Sequence, residues 1–394
     1  MKRSGIAWIP AIPDDWSVRK GKYLFNCVQK PVRPDDGIIT CFRDGEVTLR
    51  SKRRDDGFTI ATKEFGYQGI DVGDLVVHGM DGFAGSIGIS DSRGKASPVL
   101  NNLSTTHDKR FFMYFLRTMA YQGIFLALST GIRVRTCDTN WGKLKELKFA
   151  FPKIKEQRKI STFLDKKIEE IDSLIVVEEA QIVKLEEYKR AVINEAVTKG
   201  LDKKASMKDS GVAWIGKIPE KWTLCRFKNV ATIANGKEIE TEGGEIPVYG
   251  SGGVFKYTDK PLFTGRSLLL GRKGTIDKPM LVSGPFWTVD TMFYTSEIRN
   301  IDEKYLYYCA MGLINFDFYK SGSVLPSMTQ TELNNIVLTY PTFDEQKQIV
   351  AFLDKKCAEI EVLITVKQKK IDSLVEYKKS IIYEYVTGKR EVIA

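Results

Sequence analysis

Apolar residues follow two different periods along the chain. Between about residues 152 and 198 they recur at alternating spacings of four and three: Leu164, Ile168, Ile171, Ile175, Ile182, Leu185 and Val192. Between 341 and 388 the spacing returns as Leu353, Cys357, Ile360, Ile364, Ile371, Leu374 and Ile381. A narrow apolar stripe with charged flanks predicts a coiled-coil seam, and so two long helices that pair with each other. Pro152 and Pro341 stand just ahead of the helices, where proline is tolerated. Thr342 and Glu345 have the spacing of a capping box, whereas Lys153 occupies the equivalent place in the first helix. Each helix is expected to last until about Val197 or Val386, on the order of 40 residues and roughly 60 Å. One seam position per helix is charged, Glu178 and Lys367. In an antiparallel pair with a pseudo-two-fold axis, equivalent mid-helix positions meet near the axis. These two residues are therefore expected to approach and to fix register.

Elsewhere the pattern is of short strand-like runs between glycine turns. The first block, about 17–150, contains "GDLVVHGMDGFAGSIGIS" (73–90). The second, about 223–339, contains "GEIPVYGSGGVFKYTD" (244–259), "RSLLLGRKGTIDKPM" (266–280) and "PFWTVDTMFY" (285–294). Each block has one short helical stretch, about 108–127 and 303–313. The expectation is an α+β protein whose two mixed domains have curved, mostly antiparallel sheets. The expected boundaries are 1–151 for the first domain, 152–198 for a central helix and 199–210 for a polar linker. A second domain follows at 211–340, and a C-terminal helix at 341–388.

The order of these parts is duplicated. "FPKIKEQRKISTFLDKKIEEIDSLI" (151–175) and "YPTFDEQKQIVAFLDKKCAEIEVLI" (340–364) share 13 of 25 positions without a gap. "MKRSGIAWIPAIPDDW" (1–16) and "MKDSGVAWIGKIPEKW" (207–222) share 10 of 16. Limited composition explains scattered Lys and Glu matches, but not two shared motifs in the same order. Two copies of one unit predict a pseudo-two-fold molecule within one chain.

Charge changes this picture. The net charge is +10 over 394 residues. Residues 17–151 hold 21 Lys and Arg against 14 Asp and Glu, whereas 223–340 hold 12 of each. A basic excess in one block is a candidate footprint for a polyanion; the second block must build a local patch instead. No run of about 18 uncharged apolar residues suggests a membrane span. The first residues lack the apolar core of a secretory signal, and six scattered cysteines suit a reducing cytoplasm. His78 and His107 are the only histidines, without partners at ligand spacing, so no metal site is expected. "GMDGFAGSIG" lacks a G-K-[ST] ending and a following helix, which argues for a packed turn rather than a nucleotide loop. No cofactor motif and no catalytic constellation is apparent, and the chain is expected to bind rather than catalyse.

The paired "EQ…FLDKK" helices, the "SG-[IV]-AW-I…IP…W" openings and the runs "IPVYGSGG", "GRKGTI" and "PFWTVDTMF" together resemble the specificity subunit of Type I restriction–modification systems. The run "GDLVVHGMDGFAGSIGIS" resembles its recognition domains too. Asp277 departs from the pattern, since a glycine often follows "GRKGTI" there. The resemblance covers essentially the whole chain. It implies that each block recognises one half of a split double-stranded DNA sequence and that the helices act as a ruler. It also implies that the helices hold two methyltransferase subunits, that restriction subunits complete the enzyme, and that the chain has no catalytic residues. Candidate DNA contacts in the first domain are Lys52, Arg53 and Arg54, with Arg133, Arg135 and Tyr67. In the second they are Tyr249, Ser251, Lys256, Tyr257, Arg272 and Lys273. Two other readings compete: a coiled-coil scaffold whose blocks bind proteins, and a nuclease hidden in a block.

Overall fold

The structure is a computed structural model and describes residues 1–53, 65–127, 139–239, 243–316 and 326–393. It divides into two units, residues 1–177 with 370–394, and residues 178–369. Both long helices, Ile154–Lys199 and Phe343–Val386, cross from one unit to the other. The fold is therefore α+β, as the two periods predict.

In the first unit, strands Lys2–Ile6 and Ile9–Ile12 form an antiparallel hairpin. Strand Ser17–Lys20 then pairs with Lys148–Phe151, so the block leaves and returns at one place. Between them lies a four-stranded antiparallel sheet in the order Asn26–Cys27, Leu100–Ser104, Leu75–His78, Ile87–Ile89. Two further antiparallel pairs are Ile39–Cys41 with Val47–Leu49, and Gln68–Ile70 with Gly94–Ala96. The expected helical stretch is broken in two, Lys109–Tyr121 and Ile124–Ala127, because Gly123 between them takes φ +69°.

In the second unit, hairpin Met207–Asp209 with Lys217–Pro219 is followed by Thr223–Arg226 paired with Val337–Tyr340. The first of these strands starts inside the segment expected to be linker. The block is a six-stranded sheet in the order Ala231–Asn235, Met292–Ile298, Phe263–Gly271, Met280–Thr288, Ile246–Gly250, Gly253–Thr258. All its pairs are antiparallel except Ile246–Gly250 with Met280–Thr288. The expected short helix is Glu303–Leu313, and two further helices, Phe227–Val230 and Gln330–Asn335, flank the sheet strands in the chain.

The cores explain why the duplicated motifs look as they do. The first core gathers Trp16, Phe111, Phe112, Phe115, Phe149 and Leu164, and adds Ile381, Ile382, Tyr385 and Val386 from the end of the second helix. The second core gathers Trp222, Phe227, Tyr305, Leu306, Ile349 and Leu353, and adds Ile193, Ala196 and Val197 from the end of the first. Each long helix thus begins in one core and ends in the other.

The shared "EQ" glutamines do the same work twice. Gln157 is fully buried; its Nε2 donates to Pro152 O at 2.8 Å, and its Oε1 accepts from Asp108 N at 3.0 Å. Gln346 Nε2 donates to Pro341 O at 3.0 Å, and its Oε1 accepts from Asp302 N at 2.8 Å. Asp108 and Asp302 are the N-caps of the short helices. The aspartates of "FLDKK" repeat as well. Asp165 accepts from Tyr114 Oη and Arg110 Nη1, and Asp354 accepts from Tyr308 Oη and Lys304 Nζ. Burial, followed by the carboxylate beside it, pushes each of these tyrosines well above its ordinary pKa. Gly200 and Gly388 follow the two helix ends at φ +70°, where a Cβ would stand 3.1 Å from Trp222 Cζ2 or 2.4 Å from Pro13 Cδ.

Replacing Gln157 or Gln346 by Ala orphans a buried carbonyl and a helix-cap N–H. Each change is expected to cost about 1–3 kcal/mol of stability in chemical denaturation. A loss below the scatter of ordinary surface substitutions would show that the clamp is not formed.

Candidate nucleic-acid interface and helical seam

The seam residues occupy the covered face of each helix. Leu164, Ile171, Leu353, Cys357, Ile360 and Ile371 are buried, and Ile168, Ile175, Ile182, Leu185, Ile364 and Leu374 are half-buried. In the first unit Lys378 Nζ bonds both oxygens of Asp172 at 2.6 and 2.8 Å, and the Phe163 ring lies 4.6 Å from that of Tyr385. Numbers rise along one helix while they fall along the other, so this stretch is antiparallel. In the second unit Lys189 Nζ pairs with Glu361 Oε1, and Lys367 Nζ donates to Glu178 Oε2 at 3.1 Å and to Gln181 Oε1. That stretch is antiparallel too. The Glu178 side chain is only 7% exposed, against 25% for Lys367.

In the second block the quoted motifs converge through short turns. Ser251 Oγ stands 3.2 Å from where a Cβ on Gly274 would be, and Gly274 takes φ +83°. The turn after Ile246–Gly250 therefore lies against the turn that carries Arg272 and Lys273. Gly274 N also donates to Pro326 O at 2.9 Å, and Lys237 N to Thr288 O at 2.9 Å. Lys273 is exposed. Arg272 is half-buried, with Nη1 3.3 Å from Asp290 O and its guanidinium 5.9 Å from the Phe293 ring centre. Tyr249 is half-buried and packs edge-on against Phe286 at 6.3 Å. Lys256 and Tyr257 are exposed on the edge strand Gly253–Thr258.

Sequence reasoning missed Val254 and Phe255 on that strand, 44% and 54% exposed. No sequence signal marked them, because the exposure of four successive residues follows from the strand's place at the sheet edge.

The first block arranges its candidates differently. Lys52 Nζ donates to Ser92 Oγ at 2.7 Å and sits 3.4 Å from Asp91 Oδ2. Arg53 pairs with Asp44 at 2.6 Å and Glu46 at 2.9 Å, and its guanidinium lies 4.1 Å from the Phe42 ring centre. Its hydrogen bond to Asp44 holds the guanidinium above its usual pKa. Both basic residues are thus engaged within the fold. Tyr67 is half-buried. Arg54, Arg133 and Arg135 lie outside the described residues.

Arg43 was missed; its side chain is 59% exposed and its Nη2 donates to Asp81 Oδ1 at 2.9 Å. The signal was "FRDGEV", an Asp-Gly turn between two strand-like runs. A cavity of about 530 Å³ opens beside it, lined among others by Arg43, Arg53, His78 and Asp81. His78 Nδ1 accepts from Met80 N at 3.2 Å and Asp81 N at 3.0 Å. Burial lowers the pKa of that imidazole, which suits a neutral ring acting as acceptor. Among the described residues no group of three or more His, Cys, Asp or Glu could hold a metal ion. Among the same described residues no helix is long and apolar enough to cross a membrane.

Comparison with known proteins shows what the chain is similar to. Residues 219–387 match the family model of the Type I restriction modification DNA specificity domain. The putative type I restriction enzyme MjaX specificity subunit of Methanocaldococcus jannaschii is 25% identical over 305 residues, 72% of this chain and 68% of the relative. The type I restriction enzyme MjaVIII specificity subunit of that organism is 26% identical over 288 residues, 63% of each chain. A solved chain from work on complex assembly and conformational transition of the type I R-M system has the same fold. Its TM-score is 0.70 at 13% identity, over 96% of this chain and 100% of that one. Residues 219–387 thus match a Type I restriction modification DNA specificity domain, and the chain is similar over most of its length to specificity subunits of Type I restriction enzymes.

Lys367→Met removes the cation that stands 3.1 Å from the covered Glu178 carboxylate. This change is expected to cost about 1–3 kcal/mol, less than a fully buried pair because Lys367 is partly exposed. The double variant Glu178→Leu with Lys367→Leu is expected to fall within about 1 kcal/mol of the parent. Urea titration checks both; a single variant as stable as the parent would mean that the pair is solvated.

Proposed function

We propose that this chain gives a Type I restriction–modification complex its DNA sequence specificity by reading a bipartite target. Each block reads one half-site. The paired helices set the number of unread bases between the halves and hold two methyltransferase subunits. Restriction subunits complete the complex, and the chain works in the cytoplasm on double-stranded DNA without a cofactor of its own.

The observation that carries this reading is one frame built twice around two unlike faces. The hairpin, the Trp, the Gln clamp and the Tyr–Asp bond recur, while the sheets between them differ in strand number and order. Duplication that keeps the frame and varies what it holds is what two equivalent readers of different sequences require. Lys273 in the turn cluster supplies a donor, and Lys256 and Tyr257 on the edge strand Gly253–Thr258 supply a donor and a stacking ring. Lysine and arginine contact backbone phosphates and position a domain, and base-edge contacts in the grooves specify the sequence.

Docking on the helices has its own support. Leu174 and Val177 in the first unit are 47% and 50% exposed; Leu363 and Val366 in the second are 50% and 57% exposed. They occupy equivalent positions of the duplicated helix and share a face, being three residues apart. Two matched apolar patches suit two copies of one partner.

Exchange of residues 223–339 for another such block is expected to change one half of the methylated motif and leave the other half intact. A change in both halves would defeat the modular reading, and an unchanged motif would favour a protein-binding role for the blocks. Asp at Leu174 and Val177 is expected to weaken one of two methyltransferase sites by about tenfold or more, given the usual cost of a buried anchor. Mass measurement of the assembled complex should then show a single methyltransferase subunit; retention of two would place the docking surface elsewhere.

A further inference from the structure

Resting on that DNA-reading role, we propose that Arg43 reads a guanine in the half-site of the first block, with Asp81 as its positioning residue. Arg43 sits at the tip of the turn between Ile39–Cys41 and Val47–Leu49. That turn is held from several directions. Phe42 N donates to Glu46 O at 2.8 Å, Gly45 N to Phe42 O at 3.0 Å, and Glu46 N to Asp44 Oδ1 at 3.0 Å. Arg117 from the short helix reaches up to Gly45 O and Ile87 O, both at 2.7 Å. Gly45 takes φ +89°, and a Cβ there would collide with the Arg117 guanidinium at 1.9 Å. The backbone below Arg43 is therefore fixed before any ligand arrives.

The side chains around the tip divide the labour. Arg53 engages the acids of the turn, Asp44 and Glu46. Arg43 instead points to a different segment, and among the described residues a single nitrogen of its fork, Nη2, is engaged. Asp81 is itself set in place, because its N–H is held by His78 Nδ1. A Cβ on the next residue, Gly82, would stand 2.5 Å from Thr139 Oγ1, so that turn packs without slack. An ion pair this exposed contributes little to stability, but a carboxylate on one side of a guanidinium fixes the plane of the fork. The Arg43 side chain, 59% exposed, also lines the cavity of about 530 Å³. With one of its five N–H groups engaged, the held fork keeps an adjacent pair of donors for guanine O6 and N7 in the major groove.

The test uses the assembled complex and duplexes carrying its methylated motif. Each guanine of the half-site read by the first block is replaced in turn by 7-deazaguanine, which lacks the N7 acceptor. Arg43→Ala is expected to weaken binding of the natural duplex about 5- to 150-fold, the discrimination of one bidentate contact. It should cost nothing further on the duplex modified at one particular guanine, and leave the response to the other half-site unchanged. Asp81→Asn should show a smaller loss with the same dependence on that guanine, which a merely structural change would not reproduce. Three results would overturn the assignment: a half-site without guanine, a loss equal on every modified duplex, or a salt dependence reduced by about one phosphate with specificity retained. If the parent complex itself showed no salt-sensitive duplex binding, the underlying DNA-reading role would fall, and the assignment with it.

Discussion

Each of the two cores is incomplete without the far end of the other copy's helix. The first core needs Ile381, Ile382, Tyr385 and Val386; the second needs Ile193, Ala196 and Val197. This exchange of helix ends is the constraint on which the rest depends. It dictates antiparallel pairing, because a helix that starts against one hairpin must finish against the other. It also places the glycine after each helix beside the tryptophan of the opposite opening motif. Apolar burial supplies the driving force. The glutamine clamps and the Asp–Tyr bonds then select one arrangement among those that bury similar area.

The frame was legible in the sequence because it is written twice. Coincidence at equivalent positions marked Gln157 with Gln346, and Asp165 with Asp354, as more than charged helix surface. Periodicity marked the covered stripe of each helix. What the repeat could not show is which side chains at the helix ends complete which core, since the stripe marks a covered face and not what covers it. The extent of the linker was misread for a related reason. Met207–Asp209 is polar enough to pass for loop, and it becomes a strand only by pairing with Lys217–Pro219.

The candidate interface was less legible. Basic residues were favoured because charge is easy to see, yet Lys52 and Arg53 spend their charge on Asp91, Asp44 and Glu46. Sequence cannot distinguish an arginine that braces a turn from one that stands on it. Ten residues separate Arg43 from Arg53, and only the hairpin geometry assigns one to the tip and the other to the support. In the second block, Phe255 was overlooked because an aromatic residue in a strand is normally core, and this strand lies at an uncovered edge.

The most direct test of the account is to map every methylated base in the genome of a cell that carries this chain and the methyltransferase proposed to dock on it. Two short specified segments with an invariant gap between them would be the signature of two readers held by one stiff spacer. A single uninterrupted motif, or a gap that differs from site to site, would contradict it.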